Sequence, residues 1–510
     1  MTTAPGHLDQ PGLRAAETAG DVEAHAREVL QNEPLLLIGG RLTSASGNAT
    51  FPSVSPCTEQ VIAQVPDASP QDADDAVERA VEAFHDWRAT SVHERIERVL
   101  AAADLLEEHA EEFALLDAID NGSPITWARK ESAAAVAAIR RLAGIAPELR
   151  GSTIPATGNL HMTVREPYGP VVRIVAYNHP FMFAATKIAA PLLAGNPVLI
   201  KPSELAPLSA LHMGRILRDV FPAGVLSVLV GRDAALPRTL VTNPAVRRIG
   251  FIGSAAVGRE IQRDAATSGV KNVTLELGGK NALIAFDDAD PNEVARAAVE
   301  GMNFTWSGQS CMSTSRLLVP DNLADQVLAE IARIVEGRRI MSPFDPASEQ
   351  GTIVSRAQYD RILSMIATAV DEGASLVTGG GRPAGLDKGL FIAPTVLDHV
   401  RPDHTVAQQE VFGPVLSIIR WSPNDDPVQI ANSVEYGLTA NVWTNDITRG
   451  LTTARALDVG YVWVNGWPRL FPGVPFGGVK NSGIGVEDGI EELESFTTAK
   501  AVNVIFNRGA

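Results

Sequence analysis

The sequence predicts an α/β protein built on buried parallel sheets, and three observations predict it. From about residue 170, short β-branched runs alternate with helical windows: VVRIVAY, MFAATKIAAPLLAG, NPVLIKP, LSALHMGRILRDV, VLSVLV, RRIGFIG, SAAVGREIQRDAA and NVTLEL. Strand, helix and strand at that spacing make βαβ units, whose sheet is covered on both faces. A second alternating region runs from about 281 to 470, with NALIAF, STSRLLVP, LSIIRW, TANVWT and GYVWVN as its strands. The third observation is length. A chain of 510 residues exceeds the roughly 250–300 at which one hydrophobic core stops growing, so more than one structural unit is expected.

The elements follow in order. Residues 1–30 read as a flexible N-terminal tail; they carry neither the basic start nor the apolar stretch of a signal peptide. PLLLIGG is too short to span a bilayer. A helix is expected from SPQDADDAVERAVEAFHDW, with Ser69 as cap, Pro70 in the first turn and acids crowding the start. Further helices run through HERIERVLAAADLLEEHAEEFALLDAI and ARKESAAAVAAIRRLAGIA. Residues 148–167 form an extended excursion, and AKAVNVIFN reads as a closing strand. Two such pieces either present edges for pairing across subunits or pair within one chain.

Composition narrows the partners. Hydrophobic residues make up 45 % of the chain, and 43 basic against 60 acidic residues leave a net charge of −17. That charge repels nucleic-acid phosphates and anionic membranes, so neither is expected as a partner. Cys57 and Cys311 supply no disulfide framework and no cysteine metal cluster. A reducing, cytoplasmic home is expected, and no metal.

Cys311 sits in SGQSCMSTSR among small and polar neighbours. Such flanks leave backbone N–H groups accessible to a developing oxyanion, although a lone cysteine is more often structural. Glu276 in TLELGGKN ends a strand, followed by Gly278 and Gly279, and reads either as a general base or as a solvated turn residue. Asn178 in VAYNHPF stands at a strand-to-helix turn, where its amide either joins the Cys311 N–H on an oxyanion or caps the turn.

Lys201 and Glu204 in VLIKPSELAPLS lie just past a parallel strand, as ribose-binding groups or as a surface ion pair. Glu204 would repel a 2′-phosphate, so NAD is favoured over NADP. In IGFIGSAAVGREI, Gly253 and Ser254 precede a helix N-terminus suited to phosphate, yet the usual glycine fingerprint is absent.

Together, YNHP, KPSE, FIGS, LELGGKN, GQSC, QEVFGPV and PFGGVKNSGIGVEDG closely resemble the NAD(P)-dependent aldehyde dehydrogenase superfamily, in that family's order and from about residue 33 onward. The resemblance implies an aldehyde dehydrogenase-like fold: a Rossmann-like NAD-binding domain over 31–147 and 168–278, an α/β catalytic domain over 279–485, and oligomerisation segments at 148–167 and 486–510. It also implies a homodimer or homotetramer. Cys311 would attack the aldehyde, Asn178 would hold the oxyanion, and Glu276 would activate water against a thioester. Glu410 and Phe412 match contacts to the nicotinamide end of NAD, Lys201 and Glu204 match adenine-ribose contacts, and Ser254 matches a pyrophosphate contact. Lys187 and Glu487 match a proton-relaying pair. The family binds dinucleotide without the glycine fingerprint.

There are departures: AYNHP replaces the family's PWNFP, which brings Tyr177 and His179, and Thr186 stands where Trp is common. Two readings of the substrate tunnel result. Phe183, Trp467, Leu470 and Phe471 line an apolar bore for an aromatic or medium aliphatic aldehyde, which is favoured. Alternatively, Arg469 or His179 clamps the far carboxylate of a semialdehyde. CoA-acylating oxidation and a non-catalytic oligomeric binding protein stand as further alternatives, both opposed by Glu276 beside Cys311 and Asn178.

Overall fold

The computed structural model describes residues 17–506. The chain forms two large sheets, and a short connection carries it from one to the other. The first has eight strands, five of them central and parallel, in the spatial order Leu226–Val228, Val198–Lys201, Val171–Ile174, Arg248–Gly253 and Asn272–Leu277. Antiparallel strands flank it: the hairpin Leu36–Ile38 and Arg41–Thr43 at one edge, and Gly483–Ile484 at the other. The strand order reverses between Val171–Ile174 and Arg248–Gly253, the point at which such sheets open a crevice beyond their carboxyl ends.

The second sheet has seven strands, six of them parallel, among them Ala282–Ala285, Arg316–Pro320 and Thr439–Trp443. Side chains alternate between its faces. Leu283, Leu317 and Val319 join the core under the helices Pro291–Gly301 and Asp321–Glu336, while Ala282, Ile284 and Leu318 face the helix Arg356–Asp371. Only residues 278–281 link the carboxyl edge of the first sheet to the amino edge of the second. That link places Glu276 and the Cys311 loop at one junction.

Four helices of the first unit begin at side-chain caps. Helix α1 (Ala19–Val29) begins with a capping box between Thr18 and Asp21, and α2 (Pro70–Trp87) with one between Ser69 and Asp72. Asp72 also accepts from the Ser46 N–H at 3.1 Å and the Ser46 hydroxyl at 2.7 Å. The long run after His93 is two helices, α3 (Val92–Glu108) and α4 (Ala110–Asp120), broken at His109, which caps both. Then come α5 (Ile125–Ile145), α6 (Pro180–Leu193), α7 (Leu208–Leu217), α8 (Ala235–Thr242) and α9 (Ala255–Ala266). Helix α8 has no counterpart among the expected elements.

Two expectations require correction. The tail reading of residues 1–30 fails for its second half, because Val22, Ala26 and Val29 recur on one face of α1 and are buried in the main core. Residues 1–16 lie outside the described residues. The segment 486–510 is also not all extension. Leu493 and Phe496 are buried in the first core, and the short helix Ile490–Ser495 packs on α6. Only Thr497–Val504 leaves the body, pairing antiparallel with Leu160–Pro167 over eight residues of the same chain; residues 507–510 lie outside the described residues. Among the described residues, no helix is long and apolar enough to cross a membrane.

Candidate active site

A cleft of about 760 Å³ opens at the carboxyl edge of the first sheet. Cys311, Glu276 and Asn178 all line it, with Lys201, Glu204, Gly253, Ser254, Glu410, Phe412, Tyr177 and Phe183. Eleven of the residues singled out in the sequence thus meet in one volume, although they come from six separate stretches of the chain.

The Cys311 loop is held from several sides. Ser307 and Gly308 both take positive φ, and a Cβ on Gly308 would lie 2.1 Å from the Gly413 carbonyl oxygen, so glycine is required there. Asn281, fully buried, donates from Nδ2 to the carbonyls of Cys311 at 2.7 Å and Ser313 at 3.0 Å, and accepts from the Thr439 N–H at 3.1 Å. Gln309 donates to the Thr352 carbonyl at 2.9 Å. Cys311 itself is partly buried beside Met312 and Leu470, against the cluster Leu438, Tyr461, Trp463 and Phe476. Burial pushes its thiol up to about 12, and the nearby Glu410 and Glu276 carboxylates add to this; the backbone N–H groups of Cys311 and Met312 pull the other way.

Glu276 ends its strand opposite Ile252 and Gly483. It is buried, and neither carboxyl oxygen has a hydrogen-bond partner among the described residues. Burial, reinforced by Glu487, raises its pKa well above the usual carboxylate range, while Lys187 and Arg173 oppose this. A buried carboxyl that favours its proton and can exchange it with cleft water is suited to acid–base chemistry.

Behind Glu276 lies a buried charge cluster. Glu487 meets Lys187 at 2.5 Å and Arg173 at 2.6 Å. Burial works against the Glu487 carboxylate, yet these two cations outweigh it and hold its pKa below the ordinary range. Lys187 and Glu487 do not line the cleft. Arg173 and the buried Glu492 were not singled out in the sequence, though a charge within VVRI, a strand buried at every position, was the available signal.

At the other end of the cleft, Lys201 Nζ lies 3.2 Å from Glu204. Ser254 caps α9, accepting from the Val257 N–H at 3.3 Å. A Cβ on Gly253 would lie 2.4 Å from the Phe251 ring. Glu410 accepts from the Gly279 N–H at 3.0 Å, and a Cβ on Gly278 would lie 2.0 Å from its carboxylate, so the paired glycines make room for that acid. Burial pushes Glu410 up to about 7, against the Gly279 N–H and Lys280. Burial, with Arg316 adding to it, lowers the buried Lys280 to about 7. Phe412 takes φ of 51° and meets Tyr177 edge-on, with ring centroids 5.9 Å apart.

The tunnel residues divide. Tyr177 and Phe183 line the cleft, and Leu470 shares the wall beside Cys311. His179 lies off the cleft, bonded to Glu131 at 2.5 Å and flanked by Phe183 and Trp306, each 5.3 Å away by centroid. Trp306 in turn meets Trp127 at 5.7 Å. Glu131 and Trp127 on α5 and Trp306 escaped sequence reasoning because they reach His179 from two segments distant from it in the chain. Trp467 and Phe471 are exposed, and the Arg469 guanidinium lies over the Phe471 ring at 4.8 Å.

Comparison with known proteins agrees with this arrangement. The Aldehyde dehydrogenase family profile matches residues 42–502. Aldehyde dehydrogenase tropH of Talaromyces stipitatus is 44 % identical over 462 residues, covering 89 % of each chain. The NAD+ complex of an aldehyde dehydrogenase from Bacillus cereus superposes with a TM-score of 0.91 at 34 % identity, covering 95 % of this chain and 99 % of that one. An indole-3-acetaldehyde dehydrogenase, AldA of P. syringae, solved with NAD+ and IAA, has a TM-score of 0.92 at 34 % identity, covering 96 % and 99 %. The chain belongs to the aldehyde dehydrogenase family: it is an oxidoreductase that converts an aldehyde to its acid.

Proposed function

We propose that this chain is an NAD-dependent aldehyde dehydrogenase that works through a covalent thioester on Cys311 and favours an aromatic or medium aliphatic aldehyde. One observation carries the reading: Cys311, Glu276 and Asn178 share a cleft with Lys201, Glu204, Ser254 and Glu410. The cleft's residues fit a dinucleotide. Lys201 and Glu204 suit the hydroxyls of its adenine ribose, the α9 N-terminus at Ser254 suits the pyrophosphate, and Glu410 and Phe412 suit the nicotinamide end. Glu204 opposes a 2′-phosphate, so NAD is preferred to NADP.

The chemistry divides among the side chains. Bound NAD+ would supply the hydride acceptor. Cys311 gives its proton to cleft water, which carries it to solvent, and its sulfur bonds to the aldehyde carbon. The Asn178 amide and the Cys311 N–H stabilise the resulting oxyanion. Loss of hydride from that carbon, a two-electron oxidation, leaves a thioester. Glu276, once it has released its own proton, takes a proton from water as the water oxygen attacks, the carbon–sulfur bond breaks, and the acid departs. Lys187 and Glu487, with Arg173, are the groups through which Glu276 would return its proton.

The apolar reading of the substrate rests on Tyr177 and Phe183 in the cleft and on Leu470 beside Cys311. One solved relative is an indole-3-acetaldehyde dehydrogenase. A carboxylate clamp is disfavoured because Glu131 already occupies His179, and Arg469 lies over its own loop's Phe471. Residues 31–147 and 168–278 would hold the cofactor and 279–482 the nucleophile, with 483–496 rejoining the first unit. The paired strands Leu160–Pro167 and Thr497–Val504 would join subunits into a homodimer or homotetramer, in a reducing, cytoplasmic setting.

Cys311→Ala is expected to abolish NADH formation while NAD+ binding by fluorescence stays measurable; an active variant would sink the mechanism. Among benzaldehyde, hexanal and succinic semialdehyde, kcat/KM should be lowest for the semialdehyde, and the reverse order would assign the clamp. Acid formation that requires added CoA would assign the acylating reaction instead.

A further inference from the structure

We propose that His109, Glu112 and His212 form a binding site for a divalent transition metal of the zinc type, which clamps α4 to α7 outside the cleft. Glu112 lies between the two imidazoles, with Oε1 at 2.8 Å from His109 Nδ1 and Oε2 at 2.6 Å from His212 Nε2. One donor atom from each of the three lies within 4.8 Å of the others. None of them lines the cleft.

The donor set is two imidazole nitrogens and one carboxylate, the set that borderline-soft divalent ions take without thiolates. Zinc bonds such ligands at about 2.0–2.2 Å, which in a tetrahedron spaces the donors about 3.3 Å apart. The two carboxylate–imidazole contacts, at 2.8 and 2.6 Å, would open by about half to three-quarters of an ångström, and the two imidazole nitrogens, within 4.8 Å of each other, would settle at about 3.3 Å. His109 and Glu112 are about one-third exposed, at 33 % and 32 % of their side-chain surface, so a fourth position faces solvent. His212 is held in place: it is buried, meets His109 edge-on at 6.4 Å by centroid, and packs against Phe113, whose ring stacks on Phe181 at 3.8 Å. Arg215, one turn further along α7, points away and donates to the Glu33 carbonyl.

The clamp has a structural reach. Helix α4 also carries Asp120, which accepts from the Leu208 N–H at the start of α7 at 2.9 Å, and Asp117, which accepts from the Phe181 N–H at the start of α6 at 3.2 Å. A metal across Glu112 and His212 therefore adds to the contacts that tie α4 to α7, the helix that follows the Lys201–Glu204 loop.

The test uses full-length protein carrying Cys311→Ser throughout, because a free catalytic thiolate also takes zinc. After chelation and dialysis, zinc(II) is titrated by calorimetry, and cobalt(II) binding is followed by visible absorption. About one zinc per protomer at micromolar Kd or tighter is expected, with the intense d–d bands of a four-coordinate cobalt site. His212→Ala and Glu112→Gln should each weaken zinc binding at least tenfold, erase the cobalt bands, and remove the rise in Tm that zinc produces. His109→Ala, on the solvent side, is the variant least able to disturb packing, and its metal-free Tm should match the parent's while its zinc affinity falls. Zinc affinity unchanged across all three substitutions, or binding only at millimolar zinc, overturns the proposal.

Discussion

At Cys311 the resting environment opposes the reactive form: burial and two neighbouring carboxylates hold the thiol near 12. Alkylation of the cofactor-free protein by iodoacetamide should therefore accelerate with pH across 7 to 10 without levelling off. A plateau near pH 7 would show that some group lowers the thiol in the free protein. On the proposed mechanism, Glu276→Gln should keep a first-turnover burst of NADH while the steady state falls about 10²–10⁴-fold, read by stopped flow. Glu487 carries a different expectation. Glu487→Gln leaves Arg173 and Lys187 buried without their counter-charge, so denaturant unfolding should show a loss of about 3–5 kcal/mol. The sign with pH follows from the depressed Glu487 pKa. Its contribution is present above the unfolded value of about 4.3 and drains away as pH falls below that, toward acid unfolding. These residues were unequally legible. Cys311, Glu276 and Asn178 stand in motifs, whereas Asn281 was quoted in one without its part in holding the Cys311 loop, and Arg173 was legible only as a charge in an apolar strand.

Among the elements, strands and caps were the most readable. Each expected strand of both sheets is present, because a parallel strand covered on both faces reads as a nearly continuous apolar run. The Ser69 cap is present for the same local reason. The failures lie where packing outranks local pattern. Helix α1 is polar over most of its length, and its three buried positions have meaning only once the core that receives them exists. Deleting residues 1–30 should therefore cost about 2 kcal/mol or more of stability, a shift that a loose tail would not produce. The C-terminal segment divides at Phe496 for the same reason. Truncation after Phe496 should leave a soluble, folded chain, whereas truncation after Asp488 strips Leu493 and Phe496 from the core and should give insoluble or unfolded chain.

Across the whole molecule, the strand Thr497–Val504 lies beyond the body on one partner strand, and beyond it Ile505 and Phe506 are largely exposed, at 54 % and 63 %. Truncation after Phe496 should accordingly lower the mass in sedimentation or light scattering to that of a smaller assembly. An unchanged mass would place the subunit contact elsewhere. By itself the sequence determined the class of fold, the order of its strands and the types of reacting group, since periodicity and motifs are written in neighbouring residues. Tertiary structure alone decided that Glu131 takes up His179, that Arg469 lies on its own loop, that Arg173 and Lys187 share Glu487, and that two histidines meet across Glu112. Those outcomes depend on segments far apart in the chain arriving at one place, and burial and charge pairing act only after they arrive.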